Sequence, residues 1–273
     1  MIDKAQHQQY QSSHSKILSQ QGYLVCHKVI DQAVIRQMQN YLAARLDNLR
    51  DRFQEWSGGK DVTSVESYRY HSDRIAEYEA IGLPKDLRHF LRGEFDLETR
   101  LSAEIRDFLA TLSLRELVAD VFSETRYFLH YPPMLRFKVP RADQTIVPPH
   151  QDNAYSTHIE RFITAWVPLT PITEEVGGVT FYEGTQELGN LTHGSSGAWE
   201  SRAFFDESTY AAYSPQMELG DVLFFTPTIV HASALNTSNN IIRFSIDMRA
   251  FSTNTVSSKS FYDPWSGEIH KTN

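Results

Sequence analysis

The chain has 273 residues, 41% of them hydrophobic, which is enough to bury one sizeable core. Its formal net charge of −8 at pH 7 argues against general binding to nucleic acid or to anionic membranes, because both require a basic surface. A single cysteine, Cys26, excludes an intramolecular disulfide framework, so we expect a cytoplasmic protein.

The N-terminal part of the chain predicts helices. Residues 1–21 are polar and lack the apolar stretch of a signal peptide, and no later run reaches membrane-spanning length. Apolar residues recur at helical spacing from Asp31 to about Asp51, with Asp31 as the N-cap. A second helical block runs from about Leu97 to Phe122. We expect both helices to face a core and to brace a sheet.

After the second helical block the pattern changes to strands, hairpins and loops. In the segment 242–250 every even position is apolar, and the odd positions are Arg243, Ser245, Asp247 and Arg249. This period of two predicts a strand with one face in a core. The polar row either faces solvent on an edge strand or lines the inside of a barrel, where Arg243 would bind a carboxylate through two hydrogen bonds.

Two residues of the metal-ligand type, His150 and Asp152, are separated by one position. In an extended strand their side chains point the same way, and the prolines within 147–149 favour an extended approach. A distant histidine, His231, ends the apolar, strand-like run 220–231. Two histidines and one carboxylate form the facial triad of non-heme Fe(II) oxygenases, although the same set also suits zinc.

In this order, the motifs resemble those of the phytanoyl-CoA dioxygenase-like family of Fe(II)/2-oxoglutarate-dependent oxygenases, from near the N-terminus to about residue 250. The matching segments are Gly22-Tyr23-Leu24-Val25 with the helix after it, Pro149-His150-Gln151-Asp152, Thr164-Ala165-Trp166-Val167-Pro168-Leu169, the glycine-rich stretch from Glu175 to Thr185, Gly220-Asp221-Val222 through His231, Asn236-Thr237 and Arg243. The glycine-rich stretch departs from the family pattern at Glu183, Thr185 and Gln186, none of which is a metal position.

The resemblance implies a mainly β fold with flanking helices, in which N-terminal helices pack against a double-stranded β-helix, the jelly-roll core also seen in cupins. It implies a single Fe(II)/2-oxoglutarate oxygenase domain over residues 1–273. Within it, we expect helical support and a lid in about 1–125, the jelly-roll core in about 126–251 and a C-terminal tail in 252–273.

The implied activity is that of a dioxygenase, with Fe(II), 2-oxoglutarate and O2 as cofactor and co-substrates. Oxidative decarboxylation of 2-oxoglutarate would be coupled to hydroxylation, or a related C–H oxidation, of a small polar metabolite. A carboxylate ligand at Asp152 favours hydroxylation over halogenation, which needs a small residue there. Three alternatives remain: a cupin-like metal enzyme that does not use 2-oxoglutarate, a non-catalytic metal-binding homologue, and a zinc hydrolase.

The resemblance also implies roles for individual residues. His150, Asp152 and His231 would bind the metal, with no catalytic residue beyond them. Arg243, Ser245 and Trp166 would bind 2-oxoglutarate. The candidate arginines, Arg243 and Arg249, follow His231 by twelve and eighteen residues, and the R-x-S pattern of residues 243–245 favours Arg243.

The aromatic and charged segment 53–95 and the tail 252–273 are expected to cover the open mouth of the barrel, because the oxidising chemistry must be shielded from water. Such a cover suits a polar or anionic substrate. The substrate-binding residues that we predict are Arg249, Tyr68, Arg69, His71 and Arg74. Four other histidines are treated as ordinary surface or core residues: His130, His158, His193 and His270.

Overall fold

The computed structural model of the protein describes residues 12–196, 199–255 and 257–271, and the side chains of these residues outside 195–200. The helices in these ranges are α1 (Ser13–Gln21), α2 (Gln32–Ser57), α3 (Val65–Ser72), α4 (Ile75–Ala80), α5 (Lys85–Leu91), α6 (Leu97–Arg100), α7 (Ala103–Leu109) and α8 (Leu112–Phe122). None of them is both long and apolar enough to cross a membrane. Residues 1–11 of the polar N-terminal segment, and 256 and 272–273 of the predicted tail, lie outside the described residues.

Helix α2 begins as predicted, because the Asp31 carboxylate accepts a hydrogen bond of 2.6 Å from the amide of Ala33. It continues beyond the predicted end near residue 51 and stops where Gly58 takes the left-handed conformation. The helical block predicted over 97–122 is divided into three short helices. Ser102 interrupts it, because its hydroxyl accepts from the Ile105 amide and caps a new helix.

The strands of the described residues are β1 (Tyr23–Cys26), β2 (Tyr127–His130), β3 (Met134–Lys138), β4 (Phe162–Pro168), β5 (Val179–Tyr182), β6 (His193–Ser196), β7 (Trp199–Ala203), β8 (Ala212–Tyr213), β9 (Val222–Phe225), β10 (His231–Ser233), β11 (Arg243–Ser252), β12 (Phe261–Tyr262) and β13 (Ile269–His270). A large sheet has the order β1-β9-β4-β11-β2-β12-β13, and β3 also pairs with β11. A smaller sheet has the order β10-β5-β8, and β6 and β7 form a separate hairpin.

The two sheets face each other, and aromatic side chains fill part of the space between them. Phe181 of β5 stacks on Tyr23 of β1, with ring centroids 4.7 Å apart, and meets Phe225 of β9 edge-on at 5.6 Å. Trp166 and Val179 belong to the same apolar cluster. The architecture is therefore the predicted one, a jelly-roll core with flanking helices.

The helices cover the outer face of the large sheet. The apolar even positions of β11, Ile246, Met248 and Ala250, share one continuous core with the helical side chains. The polar odd positions face the other way, and Arg243 and Arg249 line a cavity between the sheets. The solvent-facing alternative for this row is wrong, because the row points into the jelly roll.

Candidate active site

A cavity of about 260 Å³ opens between the two sheets. Its lining comes from β2 to β5, from β9 to β11 and from the loop that carries His150 and Asp152. The alternation of β4 and β11 therefore provides one apolar face for the helices and one face for this cavity.

Three residues that can bind a metal meet in the cavity: His150, Asp152 and His231. One potential ligand atom from each lies within 4.8 Å of the other two, and all three residues are buried. Oδ1 of Asp152 is 3.9 Å from Nε2 of His150 and 4.0 Å from Nε2 of His231. Across the ranges that the structure describes, no other group of three His, Cys, Asp or Glu residues meets this criterion.

Backbone hydrogen bonds hold the two histidines side by side. His150 and His231 form an isolated antiparallel bridge in which each amide donates to the other's carbonyl oxygen at 2.9 Å. Gln151 is extended (φ −113°, ψ 138°), so the side chains on either side of it point the same way, as predicted. Asp152 itself does not continue a strand but begins a short 3-10 turn.

The second nitrogen of each histidine ring is fixed by a backbone carbonyl. Nδ1 of His150 donates to the oxygen of Pro148 at 2.8 Å, and Nδ1 of His231 donates to that of Ile229 at 3.1 Å. Burial, followed by the neighbouring His231, lowers the pKa of His150 to about 3, so this ring is neutral at pH 7. In a neutral ring with its proton on Nδ1, Nε2 offers a lone pair toward Asp152.

Both carboxylate oxygens of Asp152 accept hydrogen bonds. Oδ1 accepts from Nη2 of Arg249 at 2.7 Å, and Oδ2 accepts from Oγ1 of Thr164 at 2.5 Å. Burial alone would raise the pKa of Asp152, but Arg249 and the two histidines hold it well below its usual range. Asp152 is therefore ionised and could serve as a metal ligand. Arg249, predicted among the substrate residues, lines the cavity with its guanidinium tied to this carboxylate.

Arg243 lies at the other end of the cavity, with only 2% of its surface exposed. Its Nη1 donates to the carbonyl oxygens of Gly177 at 2.6 Å and Gly178 at 3.1 Å, while its buried Nε has no partner among the described residues. At Gly177 φ is +66°, and a Cβ there would lie 2.6 Å from the carbonyl oxygen of Leu235, so the position requires glycine.

A second buried basic side chain stands beside Arg243. Lys138 of β3 is the register partner of Arg243 and is 3% exposed, and its Nζ has no partner within the described part of the chain. Burial, with Arg136 nearby, lowers the pKa of Arg243 to about 9. Burial also lowers the pKa of Lys138 well below its usual range. Burying a hydrogen-bond donor without an acceptor costs free energy. The end of the cavity at Arg243 is therefore suited to an anion, which would accept from these donors.

The other two residues predicted to bind 2-oxoglutarate lie near Arg243. The ring centroid of Trp166, which lines the cavity, is 5.8 Å from the guanidinium carbon of Arg243. Ser245 is buried two positions along the same strand, but it is not among the residues that line the cavity.

The structure does not bring Tyr68, Arg69, His71 or Arg74 to this cavity. The Tyr68 hydroxyl donates to the carbonyl oxygen of Phe90, His71 shares a 2.5 Å hydrogen bond with a tyrosine hydroxyl, and Arg74 covers an aromatic ring at 3.6 Å. These residues pack the helical layer, so nothing in the cavity lining supports the substrate role predicted for them.

The two predicted covering segments reach the cavity to different extents. From 53–95, which forms the end of α2 and α3 to α5, Glu94 accepts a 2.7 Å hydrogen bond from Nη1 of Arg136, a lining residue. From the tail, Lys259 lines the cavity directly.

Sequence reasoning missed several residues of the site. His130 and His158, which we expected to be ordinary surface or core residues, both line the cavity with their rings 4.8 Å apart. No local pattern marks them, since their position depends on how β2 pairs with β11. His193 accepts from the Gln151 amide at 3.1 Å, and His270 stacks on Phe261, so both have structural contacts.

Thr185, one of the departures from the family pattern, supports the segment before His231. Its hydroxyl oxygen accepts from the amide of Val230 at 2.9 Å, and the hydroxyl donates to the carbonyl oxygen of Tyr182 at 2.7 Å. A side chain that was not expected to matter for the metal therefore fixes the backbone next to one candidate ligand.

The sequence of this chain is similar to those of known proteins. The sequence profile described as Phytanoyl-CoA dioxygenase (PhyH) matches residues 18–245. A 1-deoxypentalenic acid 11-beta-hydroxylase of Streptomyces exfoliatus is 30% identical over 131 residues, which are 44% of this chain and 46% of that protein. The match thus spans about half the length of this curated relative.

Solved structures share the fold at low sequence identity. The non-heme monooxygenase ThoJ, in its apo form, superposes with a TM-score of 0.61 and 17% identity, covering 92% of this chain and 83% of ThoJ. The non-heme alpha ketoglutarate dependent carbocyclase SnoK from nogalamycin biosynthesis gives a TM-score of 0.56 at 14% identity, covering 91% of this chain and 87% of SnoK.

Proposed function

This chain belongs to the phytanoyl-CoA dioxygenase family, and from that premise we propose that it is an Fe(II)- and 2-oxoglutarate-dependent dioxygenase. It would couple oxidative decarboxylation of 2-oxoglutarate to hydroxylation, or a related C–H oxidation, of a small molecule. The observation that carries the proposal is the buried group of His150, Asp152 and His231. In this group the Nδ1 atom of each histidine is hydrogen-bonded to a backbone carbonyl oxygen.

The donor set fits Fe(II). Two imidazole Nε2 atoms and one carboxylate oxygen on the same side of a cavity form a facial triad, which leaves other positions of the metal open to small ligands. His150, Asp152 and His231 would therefore hold the iron. Thr164 and Arg249 would hold the Asp152 carboxylate in place, because hydrogen bonds to a metal ligand fix its orientation.

The other end of the cavity, at Arg243, fits the distal carboxylate of 2-oxoglutarate. The unpartnered Nε of Arg243 and Nζ of Lys138 are buried hydrogen-bond donors, and a guanidinium binds a carboxylate through two parallel hydrogen bonds. We assign Arg243 as the main contact, with Trp166 beside it and Ser245 on the same strand. Lys138, which stands beside Arg243 but is not among the residues that line the cavity, would add a second hydrogen-bond donor.

When bound, iron, 2-oxoglutarate and O2 supply the oxidising chemistry, which yields succinate and carbon dioxide and inserts oxygen into a C–H bond of the substrate. The chain's own contribution is positioning and the exclusion of water. The sheets enclose the site, and the buried Arg249–Asp152 contact keeps one ligand ionised without bulk solvent.

The substrate that we propose is a small organic molecule. A cavity of about 260 Å³ does not accommodate a macromolecule, and the relative with 30% identity is by name a hydroxylase of a single organic acid. The net charge of −8 makes nucleic acid or an anionic membrane surface an unfavourable partner.

An anaerobic titration with Fe(II) and 2-oxoglutarate tests this function. We expect the visible charge-transfer band of a keto acid chelated to Fe(II), which neither a zinc hydrolase nor a cupin-like enzyme without 2-oxoglutarate would produce. His231→Ala should abolish the band, whereas His14→Ala, which changes a histidine on α1 outside the cavity, should retain it. A wild-type protein that binds Fe(II) but gives no band with 2-oxoglutarate would overturn the proposal.

A further inference from the structure

The cavity holds more positive charge than its own carboxylates balance. The charged side chains that line it are Arg136, Arg243, Arg249 and Lys259 on the positive side and Asp152 and Asp247 on the negative side. Arg249 is paired with Asp152, and Arg136 is paired with Glu94 from behind the cavity. The backbone of Lys259 bonds to the Ser257 hydroxyl, but no described residue forms a hydrogen bond or ion pair with its ammonium, which therefore lacks a counter-ion.

Lys259 lies at the same corner of the sheet as His130. Strand β12 pairs Phe261 with His130, which brings the preceding tail residues to the end of β2. On its other side β2 pairs Leu129 with Ala250, next to Arg249. Arg249 lies six positions after Arg243 on β11. At about 3.3 Å per residue, the Cα atoms of the two arginines are about 20 Å apart. The corner at His130 and Lys259 is therefore remote from the end of the cavity, at Arg243, that we assign to 2-oxoglutarate.

His130 has an unused hydrogen-bonding atom in this corner. Its Nδ1 lies 3.1 Å from Nε2 of His158, and its Nε2 has no partner among the residues described. Burial, followed by the neighbouring His158 and the cations Arg249 and Lys259, lowers the pKa of His130 to about 3, so the ring is neutral at pH 7. When Nε2–H of His158 donates to Nδ1 of His130, the His130 proton resides on Nε2 and can be donated into the cavity.

We propose that His130 and Lys259 bind an anionic group of the substrate, a carboxylate, and that His158 orients the His130 ring. A neutral N–H donor and an ammonium in one corner of the cavity match the two oxygens of a carboxylate. The substrate class is then a small carboxylic acid, and apolar lining residues such as Met134 and Val147 suit an apolar body. This inference rests on the proposed function, because it names the substrate of the same cavity.

Calorimetry with matched probes tests this site. The protein is loaded with Zn²⁺ and saturating 2-oxoglutarate, so that the metal and Arg243 are occupied. It is then titrated with acetate, cyclohexanecarboxylate or adamantane-1-carboxylate, and with the corresponding carboxamide of each. We expect at least one carboxylate to bind about tenfold more tightly than its carboxamide, since a charge-assisted hydrogen bond exceeds a neutral one by roughly that factor.

Variants show whether the preference comes from this corner. Lys259→Met and His130→Phe should each weaken carboxylate binding more than carboxamide binding and so reduce the preference for the carboxylate, while Lys259→Arg should retain it. Lys85→Met, which changes an exposed lysine on α5, is the matched control and should bind as wild type does. Lys259 is exposed at the cavity mouth, so its replacement should not disturb folding, which circular dichroism can check.

Three results would overturn the inference: equal binding of carboxylate and carboxamide by wild type, no binding of any carboxylate, or an unchanged preference in both variants. Repeating the titrations without Zn²⁺ and 2-oxoglutarate separates this site from the proposed function. If 2-oxoglutarate does not bind but the preference persists and depends on Lys259, the anion site stands and the dioxygenase proposal fails.

Discussion

Arg249 donates a 2.7 Å hydrogen bond to Oδ1 of Asp152, the oxygen that also lies about 4 Å from the Nε2 atoms of His150 and His231. The arginine is on β11 and the aspartate is on the loop before β4, so the contact joins the large sheet to the candidate metal site. Both groups are largely shielded from solvent, with side chains 16% and 3% exposed. We therefore regard Arg249 as a positioning residue for the carboxylate ligand.

Removing this contact should weaken metal binding. In Arg249→Leu the Asp152 carboxylate would keep only the Thr164 hydrogen bond, and loss of such a supporting contact typically lowers metal affinity by about 10–100-fold. Titration with Co(II), followed by its absorption spectrum, measures the change. Arg161→Leu, which removes an exposed arginine from the start of the neighbouring strand, should leave the affinity unchanged. Equal Co(II) affinity in Arg249→Leu and wild type would contradict the positioning role.

Arg243 should control the affinity for 2-oxoglutarate. A lost charge-assisted contact costs about 1.5–3 kcal/mol, so Arg243→Ala should raise the apparent KM for 2-oxoglutarate roughly ten- to a hundredfold. The measurement is succinate formation at varied 2-oxoglutarate concentration and saturating Fe(II). A large KM effect in Arg249→Ala together with a wild-type KM in Arg243→Ala would mean that the two arginines have been assigned in the wrong order.

Turnover of 2-oxoglutarate should be abolished by each of three substitutions: His150→Ala, Asp152→Ala and His231→Ala. A facial triad holds the metal through three protein ligands only, so the loss of one cannot be replaced by another. Circular dichroism and the thermal midpoint should show that the variants remain folded. His14→Ala, which replaces a histidine on α1, is the control. Wild-type turnover by His231→Ala at saturating iron would exclude His231 as a ligand.

Phe137 joins the helical layer to the sheet, and we propose that the two unfold as one unit. The ring is fully buried on β3, against Tyr68, Phe90 and Phe95. Phe137→Ala should lower the free energy of unfolding by about 3–5 kcal/mol. Urea denaturation followed by fluorescence and by circular dichroism should give coincident transitions, and separate transitions would indicate two domains. Leu112→Ala, at a position 57% exposed, should change stability by less than about 0.5 kcal/mol.

Glu94 should contribute to the pH dependence of stability. Burial opposes its ionisation, but Arg136 and His89 lower its pKa from 4.5 to about 2. A carboxyl group with a depressed folded-state pKa stabilises the protein above its unfolded pKa, and that contribution disappears as the pH falls from about 4.5 toward 2.

Glu94→Gln should therefore be less stable than wild type to urea at pH 7, and the difference should shrink as the pH is lowered to 3. Glu98→Gln is the matched control, because Glu98 forms its ion pair at the surface with its side chain 75% exposed. A difference between Glu94→Gln and wild type that is the same at pH 7 and pH 3 would show that ionisation of Glu94 does not stabilise the fold.

Local patterns predicted the elements well where one rule dominates and less well where two compete. Asp31 starts α2 as expected, because an aspartate before an apolar helical stripe has one favourable local role. In 97–122 the apolar spacing continues across Ser102, but that serine caps a new helix, and a local hydrogen bond outweighs the periodicity. The segment around Tyr68 is rich in hydrogen-bonding groups, yet the rings of Tyr68 and His71 pack against other helices.

By itself, the sequence determined the candidate ligands His150, Asp152 and His231 and the two faces of β11, because ligand chemistry and period-two alternation are properties of neighbouring residues. Only the tertiary structure decided that Arg249 holds Asp152, that Lys138 stands beside Arg243, and that the residues His130, His158 and Lys259 share one corner of the cavity. These contacts join strands and loops that are distant in the chain, and strand order and register, which set them, are established only when the sheets pair and the core closes.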